Sequence, residues 1–264
     1  MENKTVTKKI LKEHTINVPK GEEVTGWQQA REAIYRWVNK PVVIKPKSTN
    51  YGLGISIFPD GPLEEDLLKA LEIAFAEDSS VLIEEYVKGK EYRFLVMNGE
   101  TVAVLHRVPA NVTGDGHSTI AELIAIKNED PLRGKGYKTP LEKIVIDENL
   151  KLFLQQENKT VDTVLPKGAI QHLRENSNIS TGGDSIDMTD EASTYYKDIA
   201  VQAAQAIGAN ICGVDMMIEQ FDLESSPYCI IELNFNPAIH IHAYPYKGKE
   251  RNIGYEILKV LGFV

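Results

Sequence analysis

Nowhere in the chain do apolar residues run on for the roughly 20 positions a helix needs to cross a bilayer. The opening MENKTVTKK likewise has no apolar core of the kind a signal peptide requires. Cysteine is scarce: Cys212 and Cys229 both sit in apolar runs, where a cysteine serves as a small buried hydrophobe, so a disulfide framework or a cysteine metal cluster is excluded. Basic residues are outnumbered, 29 Lys and Arg against 38 Asp and Glu. The resulting charge of −9 argues against a nucleic-acid surface but leaves room for a basic cluster sized to the phosphates of one nucleotide. Repeats, low-complexity tracts and any nucleophile triad are also missing. These absences point to a soluble, cytoplasmic protein in a reducing compartment, with neither membrane nor nucleic acid as partner.

What is present is enough chain, 264 residues, for one large domain or two small lobes sharing a cleft. Helical spacing marks Lys4–Glu13, Gly26–Asn39, Glu64–Glu77, Glu191–Ile207 and Ile253–Leu261. Val18–Gly21 reads as a turn, and strands are expected at Val42–Lys45, Val81–Ile83, Tyr92–Val96, Val102–Val104, Ile211–Glu219 and Tyr228–Asn234. Asn98-Gly99 signals a hairpin between two of them. The polar stretch Asp115–Lys167, helix-like only at Thr119–Lys127 and Asp147–Gln156, reads as an elaboration. Helices alternating with mainly antiparallel strands make the class α+β.

Three groups of residues could carry chemistry. Lys45 ends a strand and is followed by Ser48–Gly54, a segment with two glycines; an ammonium and close backbone N–H groups bind phosphate, although a plain turn explains this segment alone more simply, and the Walker pattern is lacking. Glu232 and Asn234, two apart on a strand, share a face that Asp215 can join from a neighbouring strand. Hard oxygens so arranged suit magnesium, and the apolar flanks Val214, Ile230, Ile231 and Leu233 oppose the alternative of a solvated edge. Arg93, Arg107 and Arg174 offer forks for phosphate or carboxylate; Arg107 and Arg174 each precede a glycine-bearing loop, while any one arginine taken singly is more often a surface residue. His240 and His242 suit packing or substrate lining rather than base catalysis.

In order along the chain, Val43–Pro46 with Asn50–Gly54, Glu84–Arg93, Arg107–Ala110 with Gly114–Gly116, Ser180–Gly183 and Glu232–Asn234 resemble the ATP-grasp superfamily over nearly the whole chain. Within it they look like the glutathione synthetase module of bacterial bifunctional enzymes, with cyanophycin synthetase next. The resemblance implies two α+β lobes gripping ATP, residues 17–88 forming the nucleotide lobe and residues 1–16 with 89–264 the larger lobe carrying the metal and substrate site. It implies that Lys4 and Lys45 hold phosphates beneath Ser48, Asn50, Gly52 and Gly54. Glu84, Glu85 and Val87 would line the adenine and Glu91 the ribose; Asp215, Glu232 and Asn234 would hold Mg2+, or Mn2+ in its place.

Arg107, Arg174 and Asn178 would by the same resemblance face the phosphoryl group as it passes from ATP to a carboxylate, before an amine attacks. The implied substrates are a γ-glutamyl or other peptide carboxylate and an amino acid amine, with a cyanophycin-type amide ligase or a non-catalytic nucleotide-binding module as rivals. Family members usually carry a further domain ahead of the first helix, so a separate N-terminal ligase domain is expected as a partner; oligomeric state stays open.

Overall fold

Asn3 caps α1 (Lys4–Glu13) by accepting a hydrogen bond from the Val6 amide at 3.2 Å. The inward face of α1 is not the apolar set expected from the spacing, because Val6 is exposed whereas Thr7, Lys8 and Leu11 are buried. Two polar residues on a buried face need partners, and those partners shape the site described below. The computed structural model describes residues 3–48 and 54–264 and comprises two units, Met1–Val102 with Glu191–Pro237, and Ala103–Asp190 with Ala238–Val264.

In the first unit, β1 (Gly21–Thr25), α2 (Trp27–Ile34), β2 (Val42–Pro46), β3 (Ser56–Phe58), α3 (Glu64–Glu77) and β4 (Ser80–Glu85) follow α1. Among the described residues the strands form an antiparallel sheet ordered β1-β4-β2-β3. Val24, Ile34, Val42, Ile44, Leu67, Leu71, Val81 and Ile83 make one core between this sheet and helices α2 and α3. Because strand side chains alternate, the register that buries Val42 and Ile44 turns Lys45 and Glu84 to the other face. Strand β1 was not foreseen, since its one apolar residue, Val24, gives no alternation to read. The helix expected over Gly26–Asn39 ends at Ile34 instead. There the Trp37 N–H reaches back only three residues, to the Ile34 carbonyl at 2.8 Å, and Asn39 takes a left-handed φ of 57°.

Strand β5 (Lys90–Met97) turns at Asn98 and Gly99, both at positive φ (48° and 78°) as the Asn-Gly signal requires, into β6 (Glu100–Val108). The second unit continues with β7 (Asn111–Thr113), α4 (Ile120–Lys127), β8 (Arg133–Gly134), β9 (Leu141–Glu142), α5 (Glu148–Gln156), β10 (Ile170–His172), a 3-10 turn at Ile179–Thr181 and β11 (Asp184–Asp187), which pairs antiparallel with β6. Both helices in the polar stretch form where expected. Thr119 and Glu122 close a reciprocal cap on α4, Asp147 caps α5, and Val112, Ile120, Ile124, Leu150, Leu154 and Leu173 give this stretch a core of its own.

The chain then returns to the first unit with α6 (Thr194–Ala206), β12 (Ile211–Ile218) and β13 (Tyr228–Asn234), and ends in the second with α7 (His240–Ala243) and α8 (Ile253–Val260). In the first unit β12 lies between β5 and β13, antiparallel to both. The β12–β13 ladder carries a bulge: Met216 faces Ile230 but Asp215 faces Glu232, leaving Ile231 as the extra residue.

Candidate functional site

The bulge places three charged residues in one cross-strand row, with Asp215 opposite Arg93 on β5 and Glu232 on β13. Asp215 is 1% exposed, and the Arg93 fork meets it with Nε on Oδ1 and Nη2 on Oδ2, both at 2.6 Å. Of the two partners expected for an arginine fork, phosphate or carboxylate, Arg93 thus takes a carboxylate of this chain. Burial pulls the Arg93 pKa down, but Asp215 more than reverses the effect and holds the guanidinium charged. The Asn234 Nδ2 donates to Asp215 Oδ2 at 3.1 Å, leaving its own carbonyl oxygen to the site. Across from Asn234 stands Gly213, where a Cβ would lie 2.9 Å from the Pro237 Cβ. Glu232, a third exposed at its side chain, lies 3.3 Å from the Lys4 Nζ.

This donor set fits a hard divalent cation. Glu232 and Asn234 present oxygens from alternate positions of one strand, and Asp215 stands beside Glu232 on the neighbouring strand. Among the described residues no three of His, Cys, Asp and Glu gather as a metal cluster, so a cation here would take its remaining ligands from phosphate and water, as magnesium commonly does.

A second cluster of the same unit joins α1 to the β1-β4-β2-β3 sheet. Glu84, 5% exposed, binds Lys8 through Oε1 and Lys45 through Oε2, the latter at 3.0 Å. Gly21 lies opposite it on β1, where a Cβ would come within 2.4 Å of the Ile83 carbonyl oxygen and 2.8 Å of the Glu84 Cγ, so the close approach of the two strands requires glycine. Burial raises the Glu84 pKa, yet the two ammoniums outweigh burial and hold it ionised below its usual range. One carboxylate cannot fully compensate two buried ammoniums. The deficit falls on Lys8, lowered to about 8 by burial and by repulsion from Lys45, whereas Glu84 keeps Lys45 raised against its own burial. Sequence reasoning missed Lys8; its signal was a position four residues after Lys4, on the same helix face.

The remaining nucleotide candidates among the described residues belong to the same unit. The Ser48 N–H donates to Asp78 Oδ2 at 2.7 Å, and Gly54 has a φ of 71°; Asn50 and Gly52 lie outside the described residues. Glu85 accepts from the Lys20 N–H at 2.9 Å and returns its own N–H to the Lys20 carbonyl, while the Tyr86 N–H goes to Pro41. Val87 follows in the connection to β5, half-buried, and Glu91 sits two residues before Arg93, with Met217 of β12 opposite. Gly89 in that connection has a φ of 141°, and a Cβ there would meet the Ile218 carbonyl at 2.5 Å.

In the second unit, Arg107 of β6 donates from Nη2 to Asn178 Oδ1 at 2.8 Å, joining two residues expected together. Arg174 is spent differently: Nη2 binds Asp147 Oδ2 at 2.7 Å, tying it to the cap of α5, and its buried Nε has no hydrogen-bond partner among the described residues. Two glycines of the expected loops are closely packed, since a Cβ on Gly114 would meet the Pro166 carbonyl at 2.3 Å and one on Gly182 the Ile144 side chain at 2.6 Å. His242 is fully buried, burial lowers the pKa of His240, and Arg251 is clasped by Asp187 and Asp190. A buried group that the sequence did not reveal is Asp184, held by Arg133 and by Lys127 at 2.7 Å, with Arg133 also donating to the Gly182 carbonyl at 3.0 Å.

Two lysine–carboxylate pairs, Lys4 with Glu232 and Lys45 with Glu84, and the oxygen set of the β12–β13 ladder thus belong to one unit. The model of the RimK-like ATP-grasp domain matches residues 1–127 and 154–260, and the chain belongs to that family. It is 56% identical over 263 residues to the "Glutathione biosynthesis bifunctional protein GshAB" of Clostridium perfringens, covering 99% of this chain and 34% of the relative. The protein of the same name from Enterococcus faecalis is 53% identical over 265 residues, covering 99% of this chain and 35% of the relative. Among solved structures, a bifunctional glutathione synthetase from Pasteurella multocida aligns with a TM-score of 0.70 at 48% identity, over 100% of this chain and 36% of that one. A D-alanine–D-alanine ligase from Bacillus anthracis, at 18% identity and a TM-score of 0.53, covers 91% of this chain and 58% of its own, and shows likeness of fold alone. The chain spans about a third of the length of the curated relatives it matches. The α+β, ATP-grasp reading of the sequence therefore stands, and among the described residues no helix is long and apolar enough to cross a membrane.

Proposed function

We propose that the chain is an ADP-forming carboxylate–amine ligase module of glutathione synthetase type, joining γ-glutamylcysteine to glycine. The carboxylate oxygen attacks the γ-phosphorus of ATP, the bond to ADP breaks, and the amine then displaces phosphate from the acyl phosphate while losing a proton. The observation that carries this reading is the pairing of Lys4 with Glu232 and of Lys45 with Glu84 in one unit. Lysines for phosphate and an acid for a cation already neutralise one another, and a metal–nucleotide complex offers both kinds of group a replacement partner.

In this reading Lys4 and Lys45 bind the phosphates beneath Ser48–Gly54, and the connection at Glu84, Glu85 and Val87 receives the adenine, with Glu91 on the ribose. Asp215, Glu232 and Asn234 would hold a divalent cation, Mg2+ with Mn2+ as the alternative, which would supply positive charge to the phosphates. Arg107 and Arg174, with Asn178, compensate the charge that develops on the transferred group; positioning and charge compensation suffice for this chemistry, so the missing nucleophile is no obstacle. Residues 17–88 act as the nucleotide lobe, with the rest carrying the metal and substrate groups in a cytoplasmic enzyme. The match to about a third of each bifunctional relative supports a partner ligase domain that furnishes γ-glutamylcysteine.

ADP release measured with a panel of carboxylate and amine pairs tests this function. Turnover with γ-glutamylcysteine and glycine, and not with other pairs, is expected. Turnover confined to a different pair would reassign the substrate, and none with any pair would reject catalysis by this module.

A further inference from the structure

Glu84 sits between two ammoniums that reach it from different parts of the unit. Lys45 comes from β2, a strand paired directly with β4, and lies diagonally across from Glu84. Lys8 comes from α1, whose neighbouring Thr7 and Leu11 are buried, and it lines a small pocket between α1 and β13 together with Lys4, Ile231 and Glu232. Each carboxylate oxygen of Glu84 takes one ammonium. Suppose Lys45 were the only partner. Turning it toward a phosphate would then strand an ionised carboxylate at 5% exposure, an unpaired charge in the interior. A second ammonium on the other oxygen removes that obstacle.

We infer that Lys8 is a positioning residue for the nucleotide: it keeps Glu84 neutralised so that Lys45 can exchange the carboxylate for a phosphate oxygen. This rests on the proposed nucleotide site and goes beyond it, since Lys8 acts through Glu84 and touches no ligand. Two observations support it. Each Glu84 oxygen already holds its own ammonium, so Lys45 can leave without stranding the carboxylate, and the Lys8 pKa is lowered by burial and then by repulsion from Lys45, as expected of two cations sharing one carboxylate.

The test is MgADP affinity by calorimetry for wild type, Lys8→Met, Lys8→Arg, Glu84→Gln and the double variant Lys8→Met/Glu84→Gln. Lys8→Met should weaken binding about tenfold or more, because Lys45 becomes the sole partner of Glu84, while Lys8→Arg, which keeps the charge, should stay within about threefold. The double variant should bind as well as Glu84→Gln alone, because no carboxylate remains to hold Lys45. A double variant as weak as Lys8→Met would overturn the inference and make Lys8 a direct phosphate ligand; so would an unchanged affinity in Lys8→Met. If Lys8→Met fails to fold, the comparison of Lys8→Arg with Lys8→Gln in the Glu84→Gln background decides in its place: equal affinities support the inference and a charge-dependent difference overturns it. Failure of wild type to bind MgADP would overturn the nucleotide reading itself, and this inference with it.

Discussion

The ammonium of Lys4 and the carboxylate of Glu232 lie 3.3 Å apart, a phosphate-binding candidate paired with a metal-binding candidate. A pair this exposed on its acidic side contributes little to folding, so its members are available for exchange. Glu232→Gln should therefore leave the melting temperature without ligand nearly unchanged, within about 0.5 kcal/mol of stability. The rise in melting temperature given by Mg-ATP should shrink and the magnesium requirement should increase, because ligand stabilises only through its affinity for the folded state. An unaltered magnesium dependence with a full thermal shift would remove Glu232 from the metal set.

Arg93 and Asp215 behave in the opposite way, being buried, bidentate and mutually dependent. Asp215→Asn leaves a guanidinium without its counter-charge in the interior and should cost about 3–5 kcal/mol in urea denaturation. Arg93→Met in the same chain should recover much of that loss. No recovery in the double variant would mean that the two residues act independently.

The pH dependence of stability should carry the mark of Lys8, which titrates at about 8 in the folded chain against 10.5 ordinarily. Between those values the unfolded chain binds more protons than the folded one, so stability rises with pH through that window, and this group adds no slope below it. Lys8→Met abolishes the rise. The difference in unfolding free energy should move in favour of wild type by about 2 kcal/mol between roughly pH 7.5 and 9.5. Parallel curves over that range would return Lys8 to an ordinary pKa.

For Arg174 the informative replacement is lysine, which can keep the ion pair with Asp147 but not the fork. Stability should change by less than about 1 kcal/mol while turnover falls about 100-fold, with nucleotide affinity nearly constant. Equal losses in affinity and turnover would indicate a ground-state phosphate clamp.

The strands and helices of the first unit were legible where alternation or helical spacing was strong, as in Val42–Lys45 and Glu64–Glu77, and illegible where polar residues dominate, as in Gly21–Thr25. The shared face of Glu232 and Asn234 was readable because strand parity is a local rule, whereas the bulge that sets Asp215 opposite Glu232 was not. The commitments of Arg93 to Asp215 and of Arg174 to Asp147 were not, since each joins residues far apart in the chain and an arginine's partner leaves no trace in its neighbours. Lys8 was hidden by its surroundings, a charged residue in a polar helix segment whose burial depends on Glu84, 76 residues away. Gly114 and Gly182 are fixed by close packing, which the sequence cannot tell from a loop that receives an anion.

The extra residue in β13 has a consequence for how this strand can change. Were Ile231 paired in regular register, Ile230, Glu232 and Asn234 would all share one side, and an isoleucine would stand among the charges. Ile231 resets the phase, so that Ile230, 1% exposed, lies with Met216 while Glu232 joins Asp215. In effect two short strands are welded end to end, one anchoring the framework and one presenting chemistry. Substitutions before the weld should register in folding and those after it in ligand affinity, so the presenting half is free to diverge at little risk to the anchor.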